Sequence, residues 1–318
     1  MQKYKNLIVL ANLGGPRSID EVKGFLLDLL GDPNVIQLPF FLKPFQQNLA
    51  NFIVKSRLPK SQKLYTEIGG KSPLVAITQV QANSLQTKLG NSFKVCIFMN
   101  CGKPGLDELK TELENIQFEK IIILPLFPQY STTTTKTSFE KLNTFFASHN
   151  PNIPIIQIKS YPAHPKFIQA WVERIKARLH SMSEPKHEVK LLFSAHGIPV
   201  DYIKKGDIYL DEIKLSVSKI MEFFPNNTYT LCFQSKFGPN KWLEPATDKV
   251  IEHLEPGVQA LVIPISFVSD HVETLHEIGI EFKEIAESRG VELCRVPGLN
   301  NSDLLIECLA DLALEALK

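Results

Sequence analysis

Short apolar runs alternate with longer amphipathic stretches along this 318-residue chain, and the alternation limits the fold more than any other feature. The runs are nearly continuous in Val, Ile, Leu and Phe, which is typical of strands buried on both faces of a parallel sheet. The predicted strands are 7–12, 93–99, 120–126, 153–158, 189–195, 228–234, 259–266 and 291–296. The predicted helices are 19–30, 74–89, 105–116, 136–148, 165–182, 209–223, 271–289 and 302–317. Strand–helix alternation of this kind predicts an α/β protein with parallel sheets flanked by helices.

The two halves of the chain resemble each other. Two pairs of segments align at offsets of 139 and 136 residues, and a third pair aligns at an offset of 183. The pairs are 121–135 with 260–274, 95–102 with 231–238, and 9–16 with 192–199. The alternative is that any two βα units look alike. We favour two similar α/β halves, 1–150 and 151–318, with an insertion of about 45 residues in the first.

The best candidate for the insertion is segment 34–74, which is rich in Phe, Leu and Pro and interrupts the βα rhythm. Three interpretations remain open for such an apolar excursion. It could cover a hydrophobic ligand, contact a membrane surface, or form a helical hairpin that packs on the core.

Composition excludes several classes of protein. Hydrophobic residues make up 44% and charged residues 22%, as in an ordinary globular protein. A net charge of +1 without a basic tract argues against nucleic acid as a partner. No apolar run reaches the ~18 residues of a membrane span, and the N-terminal run is too short for a signal peptide. The five cysteines have no paired spacing, which favours free thiols in a reducing cytoplasm and gives no iron–sulfur or zinc signature.

Chemistry-bearing residues follow the predicted strands, where ligands bind in open parallel sheets. His196 follows an apolar strand and precedes Gly197, so it is a candidate base, metal ligand or core residue. Trp242 lies near Gln234, Ser235 and Lys236, a set that suits a flat acidic ligand, although a core Trp is the alternative.

Segment SFVSDHVETLHEIGIEF, 266–282, carries a stripe of carboxylates. Glu273, Glu277 and Glu281 are four apart and share one face of a helix. The stripe is either a solvated face or a path for protons or a cation. Asp270 suits an N-cap. His271 can share a site with Glu273 only if it precedes the first turn, because residues two apart lie about 200° apart on a helix.

Several motifs together resemble the ferrochelatases, which insert ferrous iron into a porphyrin. The motifs are SAHGIP, KKGDIY, CFQSKFGPNKWLEPATD, PISFVSDHVETLHEI, LANLGGPRSIDEVKGFL, IGGKSPL and LPLFPQYSTTTT, over about 5–317. The resemblance implies two Rossmann-like halves with a porphyrin cleft between them and an apolar lip at about 33–60. It also implies a lyase of haem biosynthesis in the cytoplasm, with peripheral membrane contact through the lip left open.

The resemblance also implies roles for individual residues. His196 matches a proton acceptor and iron ligand, and Glu273 matches the carboxylate on the far side of the macrocycle, with Asp270 and His271 beside it. Glu277 and Glu281 match an acidic line leading from the site. The positions that match porphyrin contacts are Leu13, Arg57, Tyr65, Ser72, Tyr130, Tyr209, Gln234, Ser235, Lys236, Trp242 and Phe267.

The implied partners are protoporphyrin IX and Fe²⁺, with Fe²⁺ as a substrate and neither a tightly bound cofactor nor an iron–sulfur cluster. Coproporphyrin is the alternative substrate, and the oligomeric state is left open between monomer and homodimer. A sirohydrochlorin chelatase and a haem carrier are rival functions. Asn100 and Cys101 depart from the Arg-Tyr pair usual in the family, and Lys71 stands where the family has glycine.

Overall fold

The computed structural model describes residues 2–182 and 188–318. These residues form two compact units, one of 1–160 with 306–318 and one of 161–305. The predicted boundary near residue 150 stays a prediction.

The first unit is built on a four-stranded parallel sheet. Its strands are β2 (Asn6–Asn12), β3 (Phe93–Met99), β5 (Lys120–Pro125) and β6 (Ile155–Gln157), in the order β3-β2-β5-β6. The strand β2 is buried along its whole length, as its unbroken apolar run predicts. Two short strands that the sequence did not predict, β1 (Gln2–Lys3) and β4 (Ile116–Gln117), pair with each other.

The second unit contains an equivalent sheet. Its strands are β7 (Lys190–His196), β8 (Tyr229–Gln234), β9 (Gln259–Ile263) and β10 (Glu292–Arg295), all parallel and in the order β10-β9-β7-β8. The sequence repeat pairs β2 with β7, β3 with β8 and β5 with β9. Each pair holds the same place in its sheet, so the prediction of two similar halves is confirmed.

Helices flank both sheets. In the first unit they are α1 (Val22–Leu30), α2 (Gln46–Glu67), α3 (Leu74–Leu89), α4 (Leu106–Leu113), α5 (Thr135–His149) and, from residue 306 onward, α11 (Asp303–Glu315). In the second unit they are α6 (Pro165–His180), α7 (Val200–Lys204), α8 (Tyr209–Met221), α9 (Thr247–Glu252) and α10 (Phe282–Ser288). The segment Glu273–Glu281, directly before α10, is a π-helix.

The connection between β2 and β3 is more than twice as long as its counterpart between β7 and β8, which agrees with the predicted insertion. It contains a 3₁₀ turn, Phe40–Phe45, followed by the single 22-residue helix α2. Segment 34–74 therefore holds one long helix where a hairpin would need two, and that helix packs against α1. The apolar excess faces outward: Phe40, Phe41 and Phe52 are 85%, 72% and 75% exposed. We call segment 33–60 the lip.

Among residues 2–182 and 188–318, we find no helix with the length and hydropathy needed to cross a membrane.

Candidate active site

Parallel pairing brings the ends of β7 and β8 together in the second unit. His196 is the last residue of β7, and its register partner is Gln234, the last residue of β8. Gly197 allows this approach, because a Cβ there would lie 3.0 Å from the Gln234 carbonyl oxygen. The chain after β9 then supplies Glu273 and Glu277. The carboxyl edge of this sheet thus gathers most of the predicted reaction-site residues, as expected for a parallel α/β sheet.

His196 and Glu273 form the central pair, and because they are in direct contact no macrocycle can lie between them, so the expectation that Glu273 lies on its far side from His196 is wrong. Nδ1 of His196 lies 2.9 Å from Oε2 of Glu273. Because a carboxylate only accepts hydrogen bonds, Nδ1 carries the proton and donates it. In the neutral ring the lone pair is then on Nε2, and the side chain keeps 36% exposure. The pair therefore combines an oriented base with the carboxylate that stabilises its charged form.

Burial and charge act in opposite directions on this pair. Burial lowers the pKa of His196, but the charge and hydrogen bond of Glu273 outweigh it and hold the pKa above its usual value. Burial likewise raises the pKa of Glu273, but the His196 charge outweighs it and brings the value down to about 2. Glu273 is consequently ionised at neutral pH.

Ser235 connects the two carboxylates. Its Oγ lies 2.5 Å from Oε2 of Glu277 and 3.0 Å from Oε2 of Glu273, and its backbone N–H donates to Oε1 of Glu277 at 2.8 Å. Burial and the nearby Glu273 charge raise the pKa of Glu277 to about 7. Ser235 has φ of +64°, a strained value for a residue other than glycine, which often marks a functional position.

The Gln234 amide is held by two buried hydroxyls. Oγ of Ser194 donates to Oε1 of Gln234 at 2.7 Å and lies 2.8 Å from Oγ1 of Thr247. Since the Ser194 proton is used on Gln234, Thr247 must donate to Ser194. Nε2 of Gln234 consequently faces Glu273 and Glu277, at 3.5 Å from each. Thr247 was missed from sequence because a threonine that begins a helix gives no signal of its own.

His271 lies beside Glu273, and it precedes the first helical turn as required for the two to share a site. Nδ1 of His271 donates to the carbonyl of Ser269 at 3.2 Å, which leaves the lone pair on Nε2, 3.9 Å from Oε2 of Glu273. Among the described residues this buried nitrogen has no hydrogen-bond partner. Burial lowers the pKa of His271, so its ring is neutral. The Phe267 ring lies 4.2 Å from it, between centroids.

The N-cap interpretation of Asp270 is wrong. Its Oδ1 accepts from Arg295, from Oγ1 of Thr274 and from the backbone of Gly298, while Oδ2 accepts from Asn300. No backbone N–H of the helix is among these donors. Burial raises the pKa of Asp270, but Arg295 and the other donors outweigh it and keep the value low. Asp270 ties the start of the helix to β10.

The carboxylate stripe lies on a π-helix where the sequence predicted an α-helix. Glu273 and Glu277 face the site, whereas Glu281 is 44% exposed and lies 3.6 Å from Nδ1 of the buried His276. The solvated-face interpretation therefore does not hold for the first two acids. Nine residues of π-helix are unusual, and such segments occur frequently at functional sites. Periodicity does not reveal one, because residues four apart share a face in either helix.

Tyr209 anchors the strand end that carries His196. Its hydroxyl donates to the His196 carbonyl at 3.0 Å, while the His196 N–H donates to Oγ of Ser266 at 3.0 Å. Burial raises the pKa of Tyr209, so the phenol keeps its proton. In the same unit Lys236 is exposed, and Trp242 is half-buried against Gly197.

The other predicted contacts belong to the first unit. Leu13 follows β2 and is half-buried, and Arg57 lies on the exposed side of α2. Tyr65 is buried with its ring edge-on to Phe25. Ser72 is buried, and its Oγ accepts from the backbone of Leu74. Tyr130 is half-buried, with Nζ of Lys159 4.9 Å from its ring centroid. Their role in binding a porphyrin stays a prediction.

Asn100 and Cys101 are both buried. Oδ1 of Asn100 accepts from Ser138 at 3.0 Å, and its backbone carbonyl accepts from Nζ of Lys141 at 2.8 Å. Burial raises the pKa of Cys101 to about 12. The thiol therefore keeps its proton, which makes Cys101 a packed core residue and a poor metal ligand.

Comparison with known proteins agrees with the motifs. The ferrochelatase family model matches residues 5–317. The chain belongs to the ferrochelatase family. A ferrochelatase of Trichodesmium erythraeum is 44% identical and matches 98% of this chain and 82% of the relative. A ferrochelatase of Aquifex aeolicus is 41% identical and matches 97% of this chain and 98% of the relative. A ferrochelatase of Geobacter metallireducens is 40% identical and matches 98% of both chains. The chain is therefore a metal chelatase of haem biosynthesis.

Solved structures of chelatases share the fold. SirB from Bacillus subtilis with Fe³⁺ superposes with a TM-score of 0.56 at 12% identity, covering 98% of this chain and 95% of that one. CbiX, described as the terminal enzyme of sirohaem biosynthesis in denitrifying bacteria, superposes with a TM-score of 0.54 at 14% identity. The superposition covers 99% of this chain and 100% of that one. At these identities the likeness establishes the fold alone.

His196, His271 and Glu273 offer two imidazole nitrogens and a carboxylate near one another. Such donors suit a borderline divalent cation. In the part of the chain that the structure describes, no three His, Cys, Asp or Glu residues are arranged as a ready metal site.

Proposed function

We propose that this chain inserts Fe²⁺ into protoporphyrin IX to form protohaem. The observation that carries the proposal is the hydrogen bond from Nδ1 of His196 to Glu273, which aims the basic Nε2 away from the carboxylate. In a ferrochelatase-family protein, an oriented base at a strand end is the group needed to remove protons from a porphyrin.

The reaction sets the requirements. A neutral porphyrin must lose two protons from pyrrole N–H groups, and Fe²⁺ must lose its water ligands. Nε2 of His196 accepts one pyrrole proton, and the ionised Glu273 stabilises the imidazolium that results; the second pyrrole proton is accepted in the same way after the first has left His196. His196 and Glu273 are also the proposed iron ligands, through Nε2 and Oε1, and Nε2 can bind iron only while it carries no proton. A flat macrocycle resists metal entry, so binding energy from its substituents is used to bend it.

Glu277 and Glu281 form the proposed outlet for protons. With a pKa of about 7, Glu277 exchanges protons readily near neutral pH. Ser235 lies between Glu277 and Glu273 and is able to accept one hydrogen bond while donating another. Glu281, at the exposed end of the stripe, delivers the proton to water.

The contacts proposed for the porphyrin rest on the family resemblance. Arg57, Tyr65 and Ser72 are proposed for the propionates, and Leu13 is the proposed apolar contact on the opposite wall. The other proposed contacts are Tyr130, Tyr209, Gln234, Ser235, Lys236, Trp242 and Phe267, with Asp270 and His271 beside the reaction centre. The lip is the proposed membrane contact, since its phenylalanines are exposed and the porphyrin is poorly soluble in water.

The decisive experiment is a metallation assay with the full chain, anaerobic Fe²⁺, and protoporphyrin IX, coproporphyrin III or sirohydrochlorin in parallel. We expect haem formation with protoporphyrin IX at the highest kcat/KM. Faster turnover of coproporphyrin or sirohydrochlorin would transfer the assignment to that substrate. Tight porphyrin binding by folded protein without turnover of any of the three would favour a haem carrier.

A further inference from the structure

A pocket lined by three cationic side chains lies in the second unit, and nothing in the proposed reaction uses it. Its volume is about 380 Å³. Arg178 comes from α6, Lys283 from α10 and Arg295 from β10. The lining residues are Arg178, Leu275, Gly279, Lys283, Leu293, Cys294, Arg295 and Pro297. Among these lining residues, which all belong to the described chain, there is no carboxylate.

The pocket lies on the side of the π-helix that faces away from Glu273 and Glu277. Leu275 and Gly279 alternate by two positions with Glu273 and Glu277, so the two pairs occupy opposite sides of the helix. Gly279 leaves the wall open at this point. A Cβ built there would lie 3.9 Å from Nε of Arg295, so the guanidinium lies directly behind the glycine.

The cationic side chains of this pocket have N–H groups that remain available to donate to a ligand. Arg295 uses Nη1 on Asp270, which occupies one of its five N–H groups. Nζ of Lys283 lies 3.6 Å from Glu287, and both side chains are more than half exposed, so that ion pair is weak. Asp270 balances the charge of Arg295, so the local positive excess comes from Lys283, whose counterion is weak, and from Arg178, which pairs with no carboxylate among the residues that the structure describes.

Arg178 is the least engaged of the three cations. Its Nη1 reaches Oγ of Ser181 only at the long distance of 3.5 Å. Its Nε is sealed from solvent and, within residues 2–182 and 188–318, has no hydrogen-bond partner, so it is not the atom that an ion in the open pocket would contact. The Nη groups are the donors that Arg178 offers to a ligand.

We propose that this pocket binds a small oxyanion of the phosphate class, either inorganic phosphate or a small phosphate ester. Two guanidinium groups offer paired N–H donors that match phosphate oxygens, and the Lys283 ammonium adds a third charge suited to a doubly charged group. The apolar wall formed by Leu275, Leu293 and Pro297 leaves room for the organic part of an ester. A volume of this size is at the lower end for small-molecule sites.

The test is calorimetric titration of the full-length chain in phosphate-free buffer, with ionic strength held constant by sodium chloride. The probes are inorganic phosphate and glycerol 3-phosphate, and the tighter of the two identifies the source of the ligand. The variants are Arg178→Gln, Lys283→Gln and their combination. Lys219→Gln is the matched control, since that lysine is exposed on α8 and pairs with Glu222 outside the pocket.

We expect saturable binding to the wild type and to Lys219→Gln. Each pocket variant should bind about tenfold more weakly, and the double variant more weakly still. Absence of saturable binding to the wild type overturns the proposal, as does equal affinity in the double variant with unchanged thermal stability. Arg295 is left intact because its loss would release Asp270. The outcome is independent of the iron-insertion assay, because binding is measured without porphyrin or metal.

Discussion

Nδ1 of His196 lies 2.9 Å from Oε2 of Glu273, although 77 residues separate them in the chain. The contact exists because β7 and the π-helix meet at the carboxyl edge of one parallel sheet. It fixes the imidazole tautomer, directs Nε2 away from Glu273 and keeps Glu273 ionised.

Replacing His196 with alanine should abolish iron insertion and spare porphyrin binding. A positioned general base contributes about 10²–10⁴-fold to rate, so kcat should fall by at least about 100-fold. Metallation kinetics and the change in porphyrin fluorescence on binding measure the two properties separately. His253→Ala, a substitution of a histidine on the exposed surface of the same unit, is the control. Retained insertion in His196→Ala would refute the base role.

Ionisation of Glu277 should weaken the fold as pH rises. Its folded-state pKa is raised to about 7 from the ordinary 4.5, so the folded state binds the proton more tightly than the unfolded state. Glu277 thus adds stability below pH 4.5 that is lost as pH rises through about 7. Thermal unfolding from pH 5 to 8.5 should show Tm of the wild type decreasing more steeply than that of Glu277→Gln. Parallel curves for the two proteins would contradict the pKa shift.

The chain of hydroxyls behind Gln234 should influence catalysis without touching the substrate. Thr247→Val keeps the shape but removes the donor to Ser194, which frees the Gln234 amide to turn. We expect kcat to decrease roughly threefold to tenfold with KM unchanged, the range that one hydrogen bond supports. Thr247→Ser keeps the hydroxyl and should restore the wild-type kcat. If Val and Ser variants were equally slow, packing around the methyl group would be the cause.

The lip should attach the protein to lipid vesicles. Phe41→Ser combined with Phe52→Ser removes two of its most exposed rings and should reduce sedimentation with vesicles severalfold, because binding strength depends on buried apolar area. Phe223→Ser removes an exposed ring in the second unit and serves as the control. Equal sedimentation of wild type and double variant, or none by the wild type, would exclude the lip as a membrane contact.

Sequence alone determined the strands and their repeat, and its resemblance to the ferrochelatases indicated the candidate reaction-site residues. Apolar runs of six to eight residues are typical of strands covered on both faces of a parallel sheet, and the match between the halves predicted that β7, β8 and β9 correspond to β2, β3 and β5. The residues alone left His196 and the carboxylate stripe open to structural interpretations, and the resemblance of the SAHGIP and SDHVETLHE motifs to the ferrochelatases implied the roles of His196 and Glu273.

Tertiary structure decided the features that depend on partners distant in the chain. The π-helix was hidden because α- and π-helices both align residues four apart. Asp270 forms an ion pair with Arg295, although its position before a helix predicted an N-cap. The buried ion pair and three further hydrogen bonds outweigh the single hydrogen bond that a cap would make. Thr247 gained its role only when α9 placed it against Ser194. The burial that raises the pKa of Glu277 and the His196 charge that lowers that of Glu273 likewise arise only when the strands assemble.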